Sequence, residues 1–177
     1  MNTTRRQLLL GLALLPAAIL VPRSLPAAEP APASASLETV PLVIHGRQGP
    51  RRLQVEMART PSQRSRGLME RDRLAEDAGM LFLYGRRQPS RNGFWMYRTL
   101  IPLDIAFIDE TGRIAEIHQM TPCTSGQPGD CPVTRPGVPY RAALEVNAGA
   151  FEAMGVKAGD CVSWPGDGGL CGGNESS

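Results

Sequence analysis

Short runs of β-branched and large apolar residues, each cut off by turn-forming residues, recur through the middle of this chain and leave little room for anything but β-structure. Val40-Pro41-Leu42-Val43-Ile44-His45 is followed by turn residues 46–50. Leu53-Gln54-Val55-Glu56-Met57 then alternates strictly and puts Leu53, Val55 and Met57 on one face. The two segments read as a hairpin. Residues 78–84 are apolar without alternation, as in a strand buried on both faces. Residues 93–97, 101–108, 114–118, 140–146 and 161–163 supply the remaining strands, with Glu110-Thr111-Gly112 as a turn. Two short helices are expected. Thr60 is a good N-cap with Pro61 at the first helical position, and Gly67 sits near that helix's end; residues 148–154 form the second, stopped by Gly155. Many short strands with two short helices predict an all-β domain, a β-sandwich or partly closed barrel.

The chain ahead of this domain has a different composition. Residues 1–28 carry a basic start (Arg5, Arg6), an apolar run from Leu8 to Val21 and small residues near Ala27-Ala28, the layout of a cleavable secretory signal peptide. The run, broken by Gly11 and Pro16, is short of the ~20 residues of a membrane span; the alternative is an uncleaved amphipathic anchor. Thr4-Arg5-Arg6-Gln7-Leu8-Leu9 is similar to the twin-arginine export signal, although adjacent arginines also occur in ordinary signals. Residues 29–38 are an Ala/Pro/Ser-rich linker, residues 39–163 the single β domain and residues 164–177 a Gly-rich tail. Removing residues 1–28 takes away three arginines and no acid, so the formal net charge falls from +2 to −1. With no Lys/Arg cluster beside interleaved aromatics, nucleic acid is not an expected partner. A periplasmic or secreted location follows, with no membrane span in the mature chain.

Four cysteines, all after the signal, suit an oxidising compartment. Cys123 and Cys131 flank one Gly/Pro/Asp-rich loop, Cys161 and Cys171 another Gly-rich segment, and these two local bridges are favoured among three possible pairings. A zinc cluster lacks the close Cys-x-x-Cys spacing.

Five segments in order carry a resemblance: Arg66-Gly67-Leu68-Met69, Gly79-Met80-Leu81-Phe82, Phe94-Trp95-Met96, Ile101-Pro102-Leu103-Asp104-Ile105-Ala106-Phe107-Ile108 and Leu144-Glu145-Val146-Asn147-Ala148-Gly149. Together they resemble the domain-of-unknown-function 192 family of small, often exported proteins, over about residues 53–162. The resemblance implies a compact jelly-roll-like β-sandwich and no particular activity. The family pattern usually runs Phe-Trp-Met-Lys-Asn-Thr, whereas this chain has Tyr97 and Arg98 in place of the Lys and Asn. A ligand contact carried by those two positions would be altered here.

Candidate chemistry rests on polar and aromatic residues set within apolar strands. Asp104 stands among Ile101, Leu103, Ile105, Ala106, Phe107 and Ile108, where an unpaired carboxylate would be costly, so it needs an arginine or backbone donors; Arg66 is the candidate mate. Glu145, between Arg141 and Asn147, is expected on a solvated strand face. Trp95 shares a face with Gly93 and Tyr97, either as core or as a flat wall for a ring or sugar. Arg66, Trp95, Asp104 and Glu145 are therefore the ligand-binding candidates of a small-molecule binding module, with no catalytic residue and no cofactor expected. A second reading is a copper or other soft-metal carrier. Met96, His118 and Met120 have a spacing similar to half of the motif in periplasmic copper chaperones of the cupredoxin-like type, and thioether and imidazole suit Cu(I). The other half is missing, with Gly85 where a ligand would be needed. A third is a carboxylate-dependent enzyme on a small polar or glycan substrate, using Asp104 and Glu145. No nucleophile elbow and no phosphate-cradling glycine loop opening a helix is present.

Overall fold

The structure, a computed structural model, describes residues 36–167 and Cys171. The expected signal peptide, most of the linker and most of the tail lie outside the described residues. Nine strands and two short α-helices are described: β1 (Thr39–Gly46), β2 (Gly49–Ala58), α1 (Pro61–Arg66), β3 (Ala78–Gln88), β4 (Phe94–Trp95), β5 (Leu103–Ile108), β6 (Ile114–Met120), β7 (Val133–Thr134), β8 (Tyr140–Asn147), α2 (Ala150–Met154) and β9 (Cys161–Ser163). The fold class is the all-β, sandwich-like one that the recurrent short runs predict.

Seven strands form one sheet in the order β6-β5-β8-β3-β2-β1-β9, and β4 pairs with β7 in a separate ribbon. The β1–β2 hairpin forms with Leu42 opposite Leu53. The β2–β3 pair is parallel, so the sheet is mixed. Its crossover is α1 and the following loop. Thr60 caps α1 in full: its side chain accepts from the Gln63 N–H while the Gln63 side chain accepts from the Thr60 N–H. Gly79 lets β3 sit tightly against β8, because a Cβ there would stand 2.7 Å from the Glu145 carbonyl oxygen.

The sheet curls, and two apolar clusters occupy its two faces. The first joins Leu42, Ile44, Val55, Met57, Ala106, Ile108, Leu144, Val146, Phe151 and Trp164. The second joins Met80, Phe82, Phe94, Met96, Leu103, Ile105, Phe107, Met120 and Tyr140. Edge strands β6 and β9 meet only at one end, through an Arg113–Cys161 bridge with hydrogen bonds from Ile114 N to Asp160 O (2.9 Å) and from Val162 N to Gly112 O (2.8 Å). The barrel is thus not closed along its length.

Four sequence expectations shift. The 93–97 strand shrinks to Phe94–Trp95 plus an isolated bridge from Tyr97 to Cys123. The two-residue β7 lies in what reads as loop. Leu37, assigned to the linker, packs against the second cluster. Trp164, placed in the tail, is buried in the first cluster, and its backbone N–H donates to the Asp167 carboxylate at 3.2 Å. A bulky indole with apolar surface to lose joins the core wherever the chain end allows it.

Candidate functional site

Asp104 and Glu145, paired by sequence in one pocket, face opposite sides of the same sheet. Asp104 lies opposite Val146, whose side chain belongs to the first cluster, whereas Glu145 lies opposite Ile105 and Met80 of the second. Residues paired across a ladder share a face, so one substrate bond cannot lie between these two carboxylates. The two-carboxylate hydrolase is corrected on that ground.

Asp104 is buried, at 5% exposure, and its Oδ2 accepts from the Gly149 N–H at 2.9 Å. A backbone donor therefore compensates it, and Arg66 does not. Arg66 sits on the exposed end of α1 and pairs with Glu70 at 3.6 Å. Asp104 lines a cleft of about 400 Å³ with Gln119, Glu152 and Lys157, the only lysine of the chain.

Glu145 is also 5% exposed, which overturns its expected solvated position. No hydrogen bond or ion pair holds its carboxyl among the described residues. Burial alone pushes its pKa up to about 8, so the neutral acid is its form at pH 7. On the same face, Glu56 is held by Arg71 through two bonds of 2.5 and 2.7 Å, and the Asn147 amide donates to the carbonyls of Leu74 and Ala75. These bonds fasten the segment after α1 across the sheet.

Trp95 is 43% exposed and is not core. Its ring lies against Tyr97, centroids 5.4 Å apart and planes 38° apart, while Phe94 and Met96 turn inward. The alternation read from sequence is therefore right about the shared face. The segment is fixed in three ways. Trp95 pairs with Val133 across the ribbon, Tyr97 bridges to Cys123, and Cys123 is bonded to Cys131. Beside it opens a cleft of about 450 Å³ lined by Glu70, Tyr97, Arg98, Leu100, Thr124, Ser125 and Gly126.

Two walls of that cleft are unusual. Glu70 and Arg98 both hold a left-handed backbone, φ 64° and 56°, the only described non-glycine residues that do. The Glu70 N–H donates to the Arg98 carbonyl at 2.7 Å, and the two side chains form an ion pair. Left-handed φ costs a bulky residue energy that the surroundings must hold in place. Glu70 also receives Arg66, which brings that candidate to the edge of this cleft and away from Asp104. Glu70 and residues 124–126 were not expected here. The one available signal was Arg98 in a place where the family pattern has Asn, a residue that takes left-handed φ readily.

Met96 and Met120 are both buried in the second cluster, and His118 lies on the same face, edge-on to Phe107 at 5.8 Å. His118 Nε2 is bonded to Glu116 at 2.9 Å. The Gly137 N–H first, then His118, hold the Glu116 carboxyl below its usual range. Both bridges favoured from sequence are present, Cys123–Cys131 and Cys161–Cys171, and no free cysteine is described. No described helix is long and apolar enough to cross a membrane.

A sequence profile of the DUF192 family, described as an uncharacterized ACR, matches residues 43–164. The chain belongs to this family. The DUF192 match covers β2 through β9 and includes Trp95, Asp104 and Glu145, so the sites above lie within the family's common domain. Solved structures similar to it include the following two. A protein from Sinorhizobium meliloti 1021 described as a "putative transcription regulator" is 34% identical, with 75% of this chain and 98% of that one covered and a TM-score of 0.66. A protein of unknown function from Novosphingobium aromaticivorans DSM 12444 is 35% identical, with 78% and 94% covered and a TM-score of 0.65. No curated protein matches.

Proposed function

We propose that this DUF192 protein is an exported, non-enzymatic binding module that receives a ring-shaped polar ligand, of the sugar class, on the Trp95–Tyr97 wall and in the cleft beside it. The observation that carries the reading is the exposed Trp95 ring paired with the half-buried Tyr97 ring in a chain with only 5% aromatic residues. Solvent-facing aromatic rings lose little conformational entropy on binding and offer an apolar face to the C–H side of a sugar. Glu70, Arg98, Thr124 and Ser125 supply the donors and acceptors that a ring bearing hydroxyls requires. Tyr97 and Arg98 depart from the family pattern, so the ligand would be this chain's own rather than a shared one. Export rests on the signal-like residues 1–28, and two disulfides without a free cysteine suit an oxidising compartment.

The test is a calorimetric titration of the disulfide-bonded protein and its variants against a panel of mono- and disaccharides, with wild-type tryptophan emission as a second readout. Of the two tryptophans Trp95 is exposed and Trp164 buried, so emission changes report chiefly on the wall. Trp95→Ala should abolish binding of any sugar that the wild type takes, and Tyr97→Ala should weaken it about tenfold. Sugars that bind wild type and Trp95→Ala alike would remove this wall as the site.

A soft-metal carrier is the second reading, favoured by Met96, Met120 and His118 projecting to one side of the sheet. Competition for Cu(I) against a chelator, with His118→Ala as control, decides it; no uptake ends it.

A further inference from the structure

A second binding region lies around Tyr84 and Gly85, and its walls are arginines. One cleft of about 370 Å³ is lined by Arg64, Tyr84, Gly85, Arg86 and Gln88. A second, of about 260 Å³, is lined by Arg59, Leu83, Tyr84, Gly85, Arg141 and Trp164. The two share Tyr84 and Gly85. Each has two arginines, and neither has an acidic side chain among its described lining residues.

The arginines are not spent on one another's neutralisation. Arg64 is fixed: its Nη1 donates to the carbonyls of Arg59 and Leu83, and its guanidinium lies 4.7 Å from the centre of the Tyr84 ring. Backbone carbonyls orient it without cancelling its charge. Arg59 has one acidic partner, Glu38 at 3.3 Å, an exposed pair that salt and solvent weaken. The guanidinium groups of Arg86 and Arg141 have no partner among the described residues. Of the other acids, Glu110 pairs with Arg87 at 3.7 Å outside both clefts, and Glu145, which acts on Tyr84, is held neutral at pH 7 by burial.

The floor between them is bare. Gly85 has no atom within 4 Å of where a Cβ would stand, and its φ is not left-handed. The backbone there does not require glycine, so open space is what the residue leaves. Here β3 has run past its pairing with β2, whose last partner is Phe82, and its register with β8 breaks between Leu83 and Gln88.

We infer that this arginine-walled saddle binds a small ligand bearing two phosphate- or sulfate-type oxyanion groups, one to each cleft. Planar guanidinium groups take tetrahedral oxyanions in bidentate fashion, and a pre-oriented arginine loses less freedom in doing so. Two clefts meeting over an unobstructed glycine fit two linked anionic groups better than one. This reading is independent of the Trp95 wall.

The experiment is calorimetric titration of the disulfide-bonded protein at low ionic strength with inorganic pyrophosphate, orthophosphate and a disulfated disaccharide. Pyrophosphate or the disulfated sugar should bind at least tenfold more tightly than orthophosphate; which of the two is tighter separates a phosphate source from a glycan sulfate source. Arg86→Gln with Arg141→Gln should weaken that binding at least tenfold. Gly85→Asp, which enters open space and places a negative group on the saddle, should abolish it with the melting temperature retained. Arg73→Gln, an exposed arginine outside both clefts, should change nothing. Equal affinity for one-anion and two-anion ligands, full binding by Gly85→Asp, or equal loss in Arg73→Gln would overturn the proposal.

Discussion

A carboxyl that no donor among the described residues holds and that water barely reaches makes a definite thermodynamic statement, and Glu145 is such a group. Its unfolded pKa is near 4.5 and its folded pKa about 8. Between those values the native chain keeps a proton that the unfolded chain has released, so this residue lowers stability as pH rises through the window and no further above it. The slope approaches about 1.4 kcal/mol per pH unit. Glu145→Gln keeps the shape of the neutral acid and removes the titration. In urea denaturation the variant should gain on wild type by roughly 2–4 kcal/mol between about pH 5 and pH 8. A difference independent of pH would show that Glu145 is ionised in the native state. Asp104, equally buried, has the Gly149 N–H as a hydrogen-bond donor. The apolar setting of Asp104 calls for a donor, and Arg66 is the candidate visible in the sequence; the backbone N–H at the start of α2 that meets it leaves no trace in residue identity.

The β4–β7 ribbon has two residues in each strand, too few to hold together on ladder bonds alone. Its rigidity comes from Phe94 anchoring inward and from the Cys123–Cys131 bridge across a separation of 8 residues. Replacing both cysteines by serine should cost about 2–3 kcal/mol by the loop-entropy account. It should also loosen Trp95 against Tyr97, seen as a red-shifted and more quenchable emission; unchanged emission would mean that Phe94 alone fixes the wall. This element shows where the sequence was legible. Alternation over residues 93–97 correctly set Trp95 and Tyr97 against Phe94 and Met96, since parity within one strand needs only the order of residues. Exposure did not follow from it, because the partner strand, Val133-Thr134, is too short to carry a periodic signal. The same reasoning explains α1, whose start Thr60 and Pro61 announce and whose end Gly67 marks. It explains Asp104 and Glu145 as well. Their opposite faces depend on the register of β5 against β8, which parity within either strand does not determine.

At the scale of the molecule, a curled seven-stranded sheet must manage the ends of its core, and here the segment directly after β9 does so. The first cluster joins residues from β1 to β9, and Trp164, directly after β9, is packed into it rather than left in a tail. The Cys161–Cys171 bridge on one side and the bond from the Trp164 backbone N–H to Asp167 on the other hold this stretch of main chain in place. The glycine-rich composition after Pro165 concealed this, because composition averages over a window and a single buried tryptophan does not alter the average. Edge strands β6 and β9 join through few bonds at one end, so the sheet relies on side-chain burial there more than on backbone pairing. Trp164→Ala should therefore cost about 3–5 kcal/mol, the range for emptying a large aromatic site. That exceeds the loss expected from opening the adjacent disulfide, and it should speed amide exchange at Ile114 and Val162, whose bonds close the seam. Urea unfolding with exchange measured at those two amides checks both parts. A cost under about 1 kcal/mol, with the seam amides still protected, would mean that the barrel end is sealed by β9 alone and that Trp164 merely rests on it.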